Sequence, residues 1–254
     1  MDIGCELIGT GPRHVLVLHG WFGDHGIWAP TYGLLDKTAY SYAFPDWRGY
    51  GLSRALAGEH SMDEMAADAL ALADRLGWDR FAVVGHSMGG KAAQRLAVNA
   101  PERVSSVVGV TPVPAIALSL PPELVAVFEA VATSDDAARG VIGASLGERP
   151  GTAALVEQVL QLQRSTTDPA AAADYFQAFC KTDFSAEASR LTSPLLVLVG
   201  EHDGGVSQEM VRAVFPPLYP HARIEVLPGA GHYPMVETPQ HLVDVVQRFV
   251  AAHS

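Results

Sequence analysis

The stretch Phe81-Ala82-Val83-Val84-Gly85-His86-Ser87-Met88-Gly89-Gly90 decides how this chain is read. Its first four residues are a short apolar run, the pattern of a strand covered on both faces. Residues 88–99 then carry helical spacing. Between them, Gly85-His86-Ser87-Met88-Gly89 fits G-x-S-x-G, in which a serine occupies a tight strand-to-helix turn. That turn strains the serine backbone, so the residues two before and two after it must be small. Gly85 and Gly89 meet the need, and Gly90 lets the helix approach the strand closely. At the helix start, the Met88 amide points at negative charge developing beside the serine.

Outward from this point the same rhythm repeats. Residues 15–18, 40–44, 81–84, 104–110, 195–199 and 223–227 are short apolar runs closed by Gly or Pro. Helix-length segments lie between them. Residues 61–76 open with Ser61 and have Glu64 three positions on, a capping-box pattern. Residues 239–252 place Leu242, Val245, Val246, Phe249 and Val250 on one face. Strand and helix in alternation predict an α/β fold, a mostly parallel twisted sheet with helices on both faces. Residues 111–190 break the rhythm, with helical patterns at 121–131, 135–145, 152–163 and 169–181 and no strand. The expected organisation is a core formed by residues 1–110 and 191–254, with 111–190 inserted as a helical cap.

Composition bounds the function. In 254 residues, hydrophobic types make up 48% and charged types 18%, a globular balance that excludes a disordered chain or a coiled coil. The net charge of −11 argues against a nucleic-acid partner held by phosphate neutralisation. Cys5 and Cys180 do not make a disulfide framework. The first thirteen residues lack the features of a signal peptide, and no apolar run is long enough to cross a bilayer. A cytoplasmic protein without a membrane partner is expected.

A serine hydroxyl is inert near neutrality without a base, and the base needs a partner that fixes its tautomer. Of ten histidines, His232 stands in Gly229-Ala230-Gly231-His232-Tyr233-Pro234, directly after the last strand. His14, His60, His221, His241 and His253 read as surface or capping residues. Asp203, in Val199-Gly200-Glu201-His202-Asp203, is the favoured acid, with Glu201 and Asp183 as competing carboxylates. The chain order is then Ser87, Asp203, His232. A second oxyanion donor is expected from the Trp21 amide, since Gly20 in His19-Gly20-Trp21-Phe22-Gly23 permits a sharp turn. His19 itself reads as a tie within its own loop.

With these motifs in order, the chain resembles the α/β-hydrolase superfamily, and within it the small-molecule esterases, lactonases and cofactor-free haloperoxidases. The resemblance also rests on Asp46-Trp47-Arg48-Gly49-Tyr50-Gly51-Leu52-Ser53. It implies Ser87 as nucleophile, His232 as general base, Asp203 as acid, and oxyanion amides from Trp21 and Met88. The Arg48-Gly49-Tyr50-Gly51 turn is expected to be scaffold. The stretch before the His-Gly turn is short, so one early antiparallel strand of the family is expected to be missing. A serine in the nucleophile position argues against haloalkane dehalogenase and epoxide hydrolase chemistry. Gly9-Thr10-Gly11 is too short for a dinucleotide site, and neither H-E-x-x-H nor a Cys/His cluster suggests zinc. No cofactor or metal is called for, and Cys180 reads as a packing residue. The expected activity is hydrolysis of a small ester or lactone through an acyl-enzyme. Acyl transfer to peroxide is the alternative, and a low-turnover small-molecule receptor is a reading from another class.

Overall fold

Parallel strands buried on both faces read as unbroken apolar runs, and the central strands here are of that kind. The computed structural model of the chain describes residues 2–253. It contains β1 (Cys5–Ile8), β2 (Arg13–Leu18), β3 (Tyr40–Pro45), β4 (Phe81–His86), β5 (Val104–Val110), β6 (Leu195–Gly200) and β7 (Arg223–Leu227). They form one sheet in the order β1-β3-β2-β4-β5-β6-β7, with β1 antiparallel to β3 and the other pairs parallel. Every residue of β4, β5 and β6 is buried, whereas the edge strands β1 and β7 are partly open. All six expected runs are strands. The sequence reading missed β1, whose four residues expose Glu6 and Leu7 and form no apolar run.

The helices flanking the sheet start where short polar side chains can cap them. Helix α1 (Met62–Arg75) begins at Ser61, whose hydroxyl accepts from the Glu64 amide at 3.1 Å. Glu64 reaches back to the amide of His60, one residue earlier than a capping box requires. Helix α2 (Met88–Asn99) follows β4 directly. Five helices separate β5 from β6: α3 (Pro122–Ala130), α4 (Asp135–Leu146), α5 (Thr152–Thr166), α6 (Pro169–Lys181) and α7 (Ser185–Ala188). Ser134 and Asp168 cap α4 and α6 through their side chains. Then come α8 (Gln208–Leu218), α9 (Pro234–Glu237) and α10 (Pro239–Ala251), the last burying Leu242, Val245, Phe249 and Val250.

One buried cation joins α2 to the segment between β5 and β6. The Lys91 ammonium donates to the carbonyls of Ile116, Phe179 and Thr182 at 2.8, 2.8 and 2.6 Å. All three of its protons are thereby used, which is what allows a charge to be buried there. Cys180 is buried beside this joint as a free thiol, and burial pushes its pKa up to about 11. A protonated thiol packs but does not attack. Parallel pairing sends the carboxyl ends of β2, β4, β6 and β7 to one edge of the sheet, and four loops gather there.

Candidate active site

Ser87 lies between β4 and α2 with φ 52° and ψ −116°, a conformation unfavourable for any residue with a Cβ. Backbone bonds hold it there. Its N–H donates to the Val110 carbonyl at 3.0 Å, and its carbonyl accepts from Gly90, Lys91 and Val113 at 2.9, 3.3 and 3.0 Å. The neighbouring glycines are required by close approach. A Cβ on Gly85 would lie 2.2 Å from the Gly89 carbonyl oxygen, and one on Gly89 would lie 2.4 Å from that of His19.

His232 and Asp203 meet across two loops. The imidazole Nδ1 is 2.7 Å from Asp203 Oδ2, and the carboxylate is fully buried. Asp203 Oδ1 accepts from the amides of Gly205 and Val206, each at 2.8 Å. With one oxygen fixed by the backbone and the other on the ring, the carboxylate holds the His232 proton on Nδ1 and leaves Nε2 free to accept. The competitors are engaged elsewhere. Asp183 accepts from Ser185 and from the Ala117 amide, and Glu201 accepts from the Gly229 amide. Ser87 Oγ forms no hydrogen bond to the ring among the described residues; His232 and Asp203 are joined directly, and Ser87 is linked to them through the main chain.

His86, placed next to the serine, makes that link. Its Nε2–H donates to the His232 carbonyl at 2.8 Å, and the two rings lie 5.0 Å apart. Burial and the neighbouring His232 hold the His86 pKa well below the usual histidine range, so it acts as a neutral donor. Thr111 Oγ1 donates to the same carbonyl at 3.2 Å. Neither residue was singled out from sequence, because a contact to a carbonyl 146 positions away leaves no local pattern.

On the other side of Ser87 stands the His-Gly turn. A Cβ on Gly20 would lie 3.2 Å from Ser87 Cβ and 2.7 Å from His86 Nδ1. His19 is buried and accepts at Nε2 from the Trp47 amide at 3.2 Å, so its proton sits on Nδ1, 2.8 Å from the Gly20 carbonyl oxygen. Carbonyl and N–H point opposite ways in a trans peptide, so this bond aims the Trp21 N–H away from His19. Tyr50 OH donates to the Trp21 carbonyl at 3.0 Å, which makes the Arg48-Gly49-Tyr50-Gly51 turn the brace of this loop. Among the described residues, the amides of Trp21 and Met88 have no acceptor.

The chain is similar to known proteins along most of its length. The family model described as alpha/beta hydrolase fold matches residues 13–239. The chain belongs to the α/β-hydrolase family. It is 26% identical to a pimeloyl-[acyl-carrier protein] methyl ester esterase of Serratia marcescens, over 98% of each chain. It is 31% identical to a non-heme haloperoxidase of Rhodococcus erythropolis, over 88% of this chain and 86% of that one. Among solved structures, a bromoperoxidase from Bacillus anthracis superposes with a TM-score of 0.87 at 21% identity, covering 98% of this chain and 95% of that one. That last likeness is one of fold.

Two further groups of this hydrolase bear on the site. The Trp21 ring meets Phe128 of α3 and Phe176 and Phe179 of α6, with centroids 5.7, 5.7 and 5.6 Å away. Aromatic residues from the helical segment thus reach the residue that carries a candidate oxyanion amide. Behind the loop, Asp24, His25 and Asp46 bring carboxylate and imidazole atoms close enough to hold a metal ion. Their bonding is that of an ion pair. Asp46 already accepts from His25 N and Nδ1, each at 2.7 Å, and from the Leu52 amide at 2.8 Å. Burial would raise the Asp46 pKa, but these donors outweigh it and hold the carboxyl below its usual range. Among the described residues, no helix is long and apolar enough to cross a membrane.

Proposed function

We propose that the protein hydrolyses a small carboxylic ester or lactone through an acyl-enzyme formed on Ser87. It is an α/β-hydrolase acting on ester bonds, the activity named for its Serratia relative. In the proposed mechanism, His232 Nε2 takes the Ser87 proton as Oγ attacks the substrate carbonyl. The amides of Trp21 and Met88 hold the tetrahedral oxyanion, one such donor being worth about 3 kcal/mol. Collapse of that intermediate breaks the bond to the alcohol, which leaves with the proton from His232. Water, deprotonated by the same imidazole, then attacks the acyl carbon and releases the acid and Ser87. Asp203 stabilises the imidazolium formed at each step. The carrying observation is the 2.7 Å bond between His232 and a fully buried Asp203, set beside a serine at φ 52°.

In this reading residues 1–110 and 191–254 form the catalytic core, and 111–190 form a cap over the site. The rings of Phe128, Phe176 and Phe179 against Trp21 support a role for the cap in shaping the acyl or alcohol pocket. A cytoplasmic setting belongs to the same proposal and rests on Cys5 and Cys180, which stay unpaired. The haloperoxidase relative favours a second reading, in which peroxide replaces water as acceptor of the acyl group. A panel of chromogenic esters graded in acyl length, run with and without hydrogen peroxide, tests both. Turnover without peroxide supports the hydrolase, and peracid formation that outruns hydrolysis moves the assignment to a perhydrolase. Binding without turnover on any ester would make the protein a receptor and contradict both.

A further inference from the structure

The loop that carries His232 is gripped by a side chain with no part in the proton transfers above. Glu237 ends the four-residue helix α9, and its carboxylate folds back over the loop it follows. Oε1 accepts from the Gly231 amide and Oε2 from the Tyr233 amide, each at 2.8 Å. Those are the two amides flanking His232. On the opposite side, the His232 carbonyl is held by His86 and Thr111. The main chain at the base is therefore bonded from both directions. The Glu237 side chain is only 5% exposed, so its charge needs a partner.

That partner is Arg149, in the loop between α4 and α5. Its guanidinium pairs with Glu237 and also donates to the carbonyls of Gly229 and Leu146. The last turn of α4 is itself wedged against both reacting loops. A Cβ on Gly231 would lie 2.5 Å from the Leu146 carbonyl oxygen, and one on Gly204 would lie 2.2 Å from that of Ala144. The Gly204 amide donates to the Ser145 carbonyl at 3.3 Å. Arg149 therefore ties the helical segment to the loop of the base.

We propose that Glu237 and Arg149 are positioning residues for His232. Glu237 sets the main chain so that the imidazole, held at Nδ1 by Asp203, can reach Ser87 with Nε2. Arg149 neutralises the buried carboxylate and locks the loop to α4. The inference rests on His232 being the base. Asp203 fixes only the Nδ1 end of the ring, so the position of Nε2 follows the backbone that Glu237 holds. A displacement of about 1 Å at such a group costs on the order of a hundredfold in rate.

Glu237→Gln is the sharpest test because it keeps shape while removing one acceptor. A glutamine can take one of the two amides through its oxygen, but its NH₂ then faces the other N–H. Wild type, Glu237→Gln and Arg149→Met are compared for kcat and KM on p-nitrophenyl acetate, for the rate of fluorophosphonate labelling, and for the low-field NMR signal of the His232 Nδ1 proton. For Glu237→Gln, kcat and the labelling rate are expected to fall together by about 10–100-fold, KM to change by less than about threefold, and the proton signal to move or broaden. Arg149→Met is expected to act in the same direction, by about three- to tenfold. A folded Glu237→Gln with wild-type kcat and an unmoved signal overturns the proposal, even if it melts earlier. Should that variant not fold, unchanged kcat and signal in Arg149→Met overturn it instead. A wild-type protein that neither turns over the ester nor takes label at Ser87 would sink the assignment of the site, and this inference with it; that outcome is read before any variant is made.

Discussion

Asp203 divides its two oxygens between a ring and two backbone amides, and that division makes it a sensitive position. In Asp203→Asn, the NH₂ must face either His232 Nδ1 or the amides of Gly205 and Val206. Facing the ring, it reverses the tautomer and puts the proton on Nε2, where a base must be bare. We expect kcat to fall by about 10⁴-fold with little loss of stability. Asp183→Asn and Glu201→Gln should stay near wild type, since both carboxylates are bonded elsewhere. Loss of turnover from Asp183→Asn equal to that from Asp203→Asn would move the acid into the helical segment. Ser87, Asp203, His232, Trp21 and Met88 were all legible as candidates, because each follows a strand and stands in a motif with a local steric reason. The turn carrying Tyr50 was legible as scaffold, but His86, Thr111 and Glu237 were not, because they grip backbone groups that sequence does not pair.

Elements with a strong period or a capping side chain were readable, and short ones were not. The helices α3 to α6 lie within a few residues of their expected positions, where Ser134 and Asp168 mark two starts. Strand β1 carries no such signal, and the 3₁₀ helix at His25–Thr31, although Asp24 caps it through its side chain, is too short to show a period; both were missed. That short helix is fastened at His25, whose bond to Asp46 raises its pKa against the opposing effect of burial. A raised histidine stabilises the fold below its unfolded value and loses that contribution as pH rises through the folded one. His25→Asn should therefore lower Tm more at about pH 6 than at about pH 9, by a difference of about 2–4 °C per kcal/mol of charge interaction lost. An equal drop at both pH values, read by thermal melts, would show that the charge contributes nothing. In the segment proposed as a cap, Phe128, Phe176 and Phe179 meet Trp21, whereas Leu160 is buried in α5 and Leu124 is 38% exposed. Phe176→Ala and Phe179→Ala should reorder the preference for acyl length by about tenfold between short and long esters. The pH profile should not move, because the rings carry no titratable group. Lower stability with an unchanged substrate ranking would deny these rings a role in selection.

Across the whole molecule the net charge of −11 sets a field that no single residue reveals. Long-range repulsion slows the approach of an anionic ester and leaves a neutral one untouched. Screening at about 0.1 M salt cuts the interaction off beyond about 10 Å. For a matched pair of esters, kcat/KM of the anionic member should rise severalfold from low to high salt, while that of the neutral member stays flat. A fall with salt for the anionic ester would reveal a local cationic site that overrides the net charge. Sheet, turns and helix N-terminus are together expected to build one acylation site at one serine. Intact-mass and peptide mass spectrometry after a fluorophosphonate, run beside ester turnover of Ser87→Ala, tests it most directly. A single adduct on Ser87 is expected, with no adduct in the Ala variant and turnover in that variant below about 1% of wild type. An adduct on another residue, or a Ser87→Ala protein that still turns over at wild-type rate, would contradict it.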